Sequence, residues 1–208
     1  METTFMWCHG KEYKKNNLGA IRKAQLSASK LKNDSSPSRK GLILVFTGDG
    51  KGKTTAAFGT ALRTVGSGGR VAIVQFFKSQ KTSEWVPLLR LAPKCRLFRC
   101  GGGFTWKTSS KVNQKAADKA WRKCRTLLRD PKYSLVIFDE IHIALKYKFI
   151  KTSDLIRGLR RKRPSQHVIL TGRGAPQSIV KLADLVTEMK CMKHPFQRGV
   201  FAKRGIDF

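Results

Sequence analysis

From Gly41 onward, short apolar runs alternate with segments whose apolar residues recur at helical spacing. Residues 42–46 form a continuous apolar run of strand length, and residues 54–65 then place Ala57, Phe58, Ala61, Leu62 and Val65 on one helical face. Residues 71–77, 96–98, 135–138 and 168–170 are further short apolar runs. Runs apolar on both faces suit strands buried between layers of helix. Residues 113–129 set Ala116, Ala117, Ala120, Trp121, Cys124, Leu127 and Leu128 at helical spacing, and Asp130-Pro131 ends that helix. Residues 152–163 and 176–183 predict two later helices, the second with proline where a first turn tolerates it. Alternation of this kind predicts an α/β fold, a mostly parallel sheet with helices on both faces, built by a single domain over residues 41–208.

Residues 33–40 read as a linker, because Ser, Asn and Pro favour turns and bury little. Residues 1–40 are then a basic N-terminal extension, partly helical or disordered, with Leu18, Ile21, Ala24 or Gln25, and Ala28 near one helical face. No internal repeat is visible.

Composition agrees with a globular chain: 208 residues, 40% hydrophobic and 27% charged. The charge balance is unusual, with 43 Lys and Arg against 13 Asp and Glu, a formal net charge of +30. Residues 1–40 carry nine of those bases and three acids, so the charge is not confined to a detachable tail. Such a field attracts polyanions without choosing among them. Nucleic acid is therefore a possible partner, but no RNP-like or zinc-finger motif supports it. The five cysteines, Cys8, Cys95, Cys100, Cys124 and Cys191, include no close Cys-x-x-Cys pair, and the four histidines are scattered. This favours reduced thiols in a cytoplasmic protein without a resident metal site, any metal arriving with phosphate. No run of about 18 apolar residues predicts a membrane span. Residues 1–15 lack a secretory apolar stretch, while residues 22–32 are basic and Ser/Ala-bearing, as organelle transit segments are.

The main chemical signal lies at the first strand-to-helix turn, Thr47-Gly48-Asp49-Gly50-Lys51-Gly52-Lys53-Thr54-Thr55. Glycines let successive backbone N–H groups turn inward around phosphate oxygens, and the helix that follows adds its positive end. Lys53 can reach the bridging and terminal oxygens, and the Thr54 hydroxyl can ligate magnesium. The chain is expected to bind ATP with Mg2+. One departure is that Thr47 occupies the pattern's first glycine position. Leu135-Val136-Ile137-Phe138-Asp139-Glu140 supplies an apolar strand with carboxylates at its C-terminal end, where the crevice of a parallel sheet lies. Asp139 and Glu140 are candidate metal ligands, with a helix N-cap as the other role open to Asp139. Gly101-Gly102-Gly103-Phe104-Thr105-Trp106 is a glycine-rich segment able to close apolar surface over a flat group, and its two aromatics are otherwise core residues.

Residues 45–61 resemble the phosphate loop of the ATP:corrinoid adenosyltransferases of the bacterial corrinoid-pathway type. Arg63, Val74-Gln75-Phe76-Phe77-Lys78, Gly103-Phe104-Thr105-Trp106, Asp139-Glu140, Thr171-Gly172-Arg173-Gly174, Lys193-His194-Pro195-Phe196 and Gly205-Ile206-Asp207-Phe208 follow in that family's order. The resemblance covers residues 41–208 and implies a P-loop NTPase fold of RecA-like architecture. It also implies transfer of the 5′-deoxyadenosyl group of ATP to Co(I) of a reduced corrinoid, with triphosphate released, in adenosylcobalamin biosynthesis or salvage.

Carried over residue by residue, the resemblance makes Lys53, Phe104 and Trp106 catalytic, the aromatics crowding the lower face of the corrin. It gives ATP to Gly48, Asp49, Gly50, Lys51, Gly52, Lys53, Thr54, Thr55, Arg63 and Arg173, and magnesium to Thr54, Asp139 and Glu140. ATP is expected to lie reversed in the loop, in keeping with Thr47, and the N-terminal segment to cover the site. The partners implied are a flavin-type reductase and a second copy of the chain in a homodimer. Lys107 and Thr108 stand where an acid is expected first, and His142 replaces a more polar or hydroxylated residue. A RecA-like ATPase acting on nucleic acid is the alternative, resting on the same loop and on the charge.

Overall fold

The computed structural model describes residues 40–78, 83–101 and 109–206. All of these belong to one unit, Lys40–Phe208; residues 1–39, 79–82, 102–108 and the last two residues lie outside the described part. In chain order the elements are β1 (Ile43–Thr47), α1 (Lys53–Gly66), β2 (Val71–Gln75), α2 (Trp85–Leu89), β3 (Cys95–Arg99), α3 (Ser110–Leu127), β4 (Leu135–Asp139), α4 (Ile141–Lys146), α5 (Thr152–Arg160), β5 (His167–Thr171), α6 (Gln177–Leu182) and β6 (Leu185–Glu188). A 3-10 turn over Pro195–Arg198 follows. The six strands form one sheet in the order β3-β2-β4-β5-β1-β6, and every pairing is parallel.

Period-two alternation along the strands divides the core into two layers. Val45, Val74, Val136, Phe138 and Leu170 face the layer built by α3, α4, α5 and α6, through Trp121, Cys124, Ile141, Leu155 and Ile179. Phe46, Ile73, Leu135, Ile137 and Ile169 face the layer of α1 and α2, through Ala57, Phe58, Ala61 and Leu88. β2 and β4 are buried at every position, which is why they read as unbroken apolar runs. Leu62 departs from the expected face: it is 53% exposed, so the buried stripe of α1 narrows to Ala57, Phe58 and Ala61.

Three short elements have no counterpart in the sequence pattern. α2 has five residues with Pro87 among them, too few for a period to show. α4 starts directly after Glu140, so the strand's carboxylate end conceals its beginning. β6 is a four-residue edge strand with every residue exposed, and it lacks the apolar alternation that reveals a half-buried strand.

Candidate active site

The turn after β1 has the backbone a phosphate cradle needs. Gly48 and Gly52 have φ of 93° and 103°, the left-handed region that favours glycine. At Gly50 the constraint is contact: an added Cβ would lie 2.7 Å from the carbonyl oxygens of Met189 and Lys190. α1 has no side-chain N-cap and no acid in its first turn, leaving its positive end for an anion. Lys53 is 8% exposed and folds back into the loop, its Nζ donating to the carbonyls of Gly48 at 2.8 Å and Gly50 at 2.6 Å. Burial lowers its pKa and Arg173 lowers it further, while Glu140 and Asp49 oppose that shift. Thr47 gains a role here, because its hydroxyl oxygen accepts the Ala175 N–H at 3.1 Å and ties the loop after β5 to the phosphate loop.

Asp139 is fully buried at the end of β4 and is the hub of the site. Its Oδ1 accepts the hydroxyls of Thr54 and Thr171, each at 2.8 Å. Its Oδ2 accepts from Gln75 Nε2 at 3.0 Å and stands 3.3 Å from Lys78 Nζ. These residues come from α1, β5, β2 and the turn beyond β2. β5 lies between the loop strand and the acid strand, so Thr171 at its end is the bridge between them. In the sequence, Gln75, Lys78 and Thr171 stand inside motifs of the resemblance without a role of their own. The available signal was a polar residue closing an otherwise apolar strand.

Glu140 follows in the left-handed region with φ 66°, an uncommon conformation for a non-glycine residue. Its N–H donates to Thr171 Oγ1 at 2.9 Å, which fixes that turn. Its Oε2 is buried with no hydrogen-bond partner among the described residues. Burial raises its pKa, Asp139 adds to the rise, and Lys78, Lys53 and Arg173 oppose it. The fully buried His142 has no ring-nitrogen hydrogen bond of ordinary geometry among the described residues, and burial lowers its pKa to about 4 against the opposing pull of the Leu170 backbone. Gly172, with φ 132°, packs against both: a Cβ there would meet His142 Cβ at 3.0 Å and Glu140 Oε2 at 3.4 Å.

A magnesium ion fits this donor set. Thr54 gives its proton to Asp139, which leaves lone pairs of its oxygen for a cation, and Glu140 offers an unpartnered carboxylate oxygen. Both oxygens of Asp139 are already engaged, so its place is behind Thr54 as an orienting group. Among the described residues no cluster of three or more His, Cys, Asp or Glu could hold a metal unaided.

The structure therefore brings together Gly48, Asp49, Gly50, Lys51, Gly52, Lys53, Thr54, Thr55, Asp139 and Glu140 at the C-terminal edge of the sheet. Arg173 is exposed beside them and acts electrostatically on both Lys53 and Glu140. Arg63 stands in the last turn of α1, ten residues and about 15 Å along the helix from Lys53 at ~1.5 Å per residue. Phe104 and Trp106 lie outside the described residues.

Comparisons with known proteins bear on the family and the fold. A family model described as "ATP:corrinoid adenosyltransferase BtuR/CobO/CobP" matches residues 39–208. A corrinoid adenosyltransferase of Sinorhizobium sp is 43% identical over 173 residues, covering 81% of each chain. Corrinoid adenosyltransferases of Escherichia coli K12 and Salmonella typhimurium are 40% and 42% identical over 171 residues, covering 81% of this chain and 86% of theirs. Among solved structures, the RadB recombinase aligns with a TM-score of 0.50 at 18% identity, covering 75% of this chain and 77% of that one, a likeness of P-loop, RecA-like fold alone. On the extent of the family match and the identity to these relatives, the chain belongs to the ATP:corrinoid adenosyltransferase family.

Proposed function

We propose that this protein transfers the 5′-deoxyadenosyl group of ATP to the cobalt of a reduced corrinoid, cob(I)alamin in the first instance, and releases inorganic triphosphate. The observation that carries the reading is the convergence of Lys53, Thr54, Asp139 and Glu140 on one phosphate loop, in a chain matched to the family over residues 39–208. In the reaction, the electron pair of Co(I) forms the Co–C bond to the ribose 5′ carbon. The C5′–O bond breaks and its pair leaves with the triphosphate, so no phosphoryl group is transferred.

The protein's task is then to bind three phosphates as one leaving group, hold the 5′ carbon in line and exclude water. Loop N–H groups, Lys53 and Arg173 bind the developing negative charge. When bound, magnesium neutralises part of the triphosphate charge. Thr54 and Glu140 would hold it, with Asp139 orienting Thr54. Lys53 leaves the carbonyls of Gly48 and Gly50 for phosphate, which restores to it the charged partner that burial denies it. Phe104 and Trp106 press on the lower face of the corrin, a role that rests on the resemblance. A flavin-type reductase supplies the electrons, the working form is a cytoplasmic homodimer, and the pathway is adenosylcobalamin biosynthesis or salvage. Among the described residues no helix is long and apolar enough to cross a membrane.

The deciding experiment incubates the protein with ATP, magnesium and chemically reduced cobalamin, and separates the products. The expected result is a light-sensitive adenosyl corrinoid with an equal amount of triphosphate. Protein that binds ATP yet never forms a Co–C bond overturns the reading. Release of single phosphates stimulated by DNA or RNA would instead favour a nucleic-acid ATPase, the reading to which the +30 charge points.

A further inference from the structure

Away from the nucleotide loop, the ends of α3 and α5 enclose a cleft of about 140 Å³ lined by Trp121, Leu128, Gly158 and four arginines, Arg125, Arg129, Arg157 and Arg161, with Asp154 on its wall. α3 runs out of this cleft toward the first residue of β4, and α5 toward the first residue of β5. The cleft therefore lies at the N-terminal edge of the sheet. A five-residue strand, about 17 Å at ~3.3 Å per residue, separates it from the phosphate loop. Neither the nucleotide nor the corrinoid of the proposed reaction accounts for it.

Two structural roles could explain the arginines, and neither absorbs them. The first is capping of helix ends. The last carbonyls of α3 already have partners, since Gln166 Nε2 donates to Leu127 O at 3.0 Å and Arg163 N–H donates to Leu128 O at 3.1 Å. The second is charge balance. Asp154 pairs with Arg157, and each helix C-terminus contributes roughly half a negative charge, so about two positive charges are left over. Among the described residues Arg157 is the only one of the four with a carboxylate partner. The site is also held in shape. A Cβ on Gly158 would come within 2.7 Å of the Trp121 ring, so glycine is what lets α5 close onto α3 and bring the arginines together. Trp121 is in turn braced edge-on against Phe138 at 6.5 Å.

We propose that this cleft is a second anion site that takes a phosphoryl group, either inorganic phosphate or a phosphomonoester. Guanidinium groups present paired N–H donors that match phosphate oxygens two at a time, a geometry lysine does not offer. The volume suits a single phosphate, with five heavy atoms, and not a nucleoside triphosphate. The four arginines are exposed at the mouth of a concave cleft, a form that suits a compact anion, whereas an extended nucleic-acid backbone would be contacted along a longer stripe.

The test uses the full chain with Lys53→Ala, so that the phosphate loop no longer competes. Inorganic phosphate and, separately, O-phosphoserine are titrated calorimetrically into this protein and into one that also carries Arg125→Gln and Arg161→Gln. We expect one site in the first protein and affinity lower by about a hundredfold in the second, on the order of tenfold for each charged hydrogen-bonding partner. The tighter of the two probes identifies the free or the esterified source. A second measurement uses the wild-type chain. The indole N–H resonance of Trp121, identified by its loss in Trp121→Phe, should shift as phosphate is added. Binding unchanged by the two arginine substitutions, or a Trp121 signal that does not move, overturns the proposal. So does loss of oligonucleotide binding on substitution in a chain that shows no phosphate binding.

Discussion

Asp139 shows how one buried carboxylate can organise the side chains around it. Its four partners use both carboxylate oxygens, so its charge is spent on orienting Thr54, Thr171, Gln75 and Lys78. Thr171 is the most exacting of these, since its hydroxyl donates to Asp139 and accepts the Glu140 N–H. Thr171→Val keeps the shape and removes both bonds. The expected cost is ~1–3 kcal/mol in urea denaturation, from a buried N–H left unpaired, together with weaker magnesium-dependent ATP binding.

His142 gives a pH dependence of definite sign. Its native pKa is held near 4, against 6.5 in the unfolded chain, so between those values the unfolded state binds a proton that the native state refuses. The stability contributed by neutral His142 is therefore complete above pH 6.5 and is lost as pH falls toward 4, by up to about 3 kcal/mol. Glu140, whose pKa is raised, works in the opposite direction, and Lys53, Lys78 and Arg173 temper it. His142→Leu isolates the histidine's share. In metal-free buffer its denaturation midpoint should fall less between pH 7 and pH 5 than that of wild type, and parallel slopes would refute this assignment.

Among the elements, legibility followed burial. β2 and β4 are buried at every position and α3 buries a full helical stripe, so apolar spacing revealed all three. α2 and β6, of five and four residues, bury little and show no period, whereas α4 buries four of its six residues and is hidden because it starts directly after the carboxylate end of β4. The packing of α5 on α3 depends on Gly158, although glycine inside a helix disfavours the helix by about 1 kcal/mol relative to alanine. Gly158→Ala recovers that propensity and drives a methyl group into Trp121, with overpacking costs of ~1–3 kcal/mol. The expected outcome is a lower thermal midpoint despite the better helix former. A raised midpoint would mean that Trp121 moves aside freely.

For the molecule as a whole, charge and exposed apolar surface are the two features the single chain leaves unbalanced. Leu185, Val186, Met192, Phe196, Phe201 and Ile206 are all at least 40% exposed and lie within one stretch of chain that includes β6, an edge strand. Exposed apolar residues this frequent along one stretch of chain give the proposed homodimer a place to be tested. Phe201→Asp, at a position 79% exposed and remote in sequence from the phosphate loop, is expected to shift sedimentation from dimer toward monomer while ATP still binds. A wild-type chain that sediments as a monomer at every concentration refutes the assembly. The net charge of +30 makes any polyanion binding fall steeply with salt, so such measurements carry meaning only at a stated ionic strength.

The sequence by itself determined the α/β class, the phosphate loop and the acid pair, because glycine spacing and apolar runs are local properties that need no knowledge of what packs where. It also pointed to the family, through motifs kept in order. Tertiary structure alone decided that both oxygens of Asp139 are engaged while Glu140 Oε2 has no partner among the described residues, and that Thr171, paired with Phe46 of β1, also donates to Asp139 of β4. It also gathered four arginines from the ends of two helices into one cleft. These outcomes depend on which strand lies between which others and on how closely two helices approach, and long-range packing fixes both.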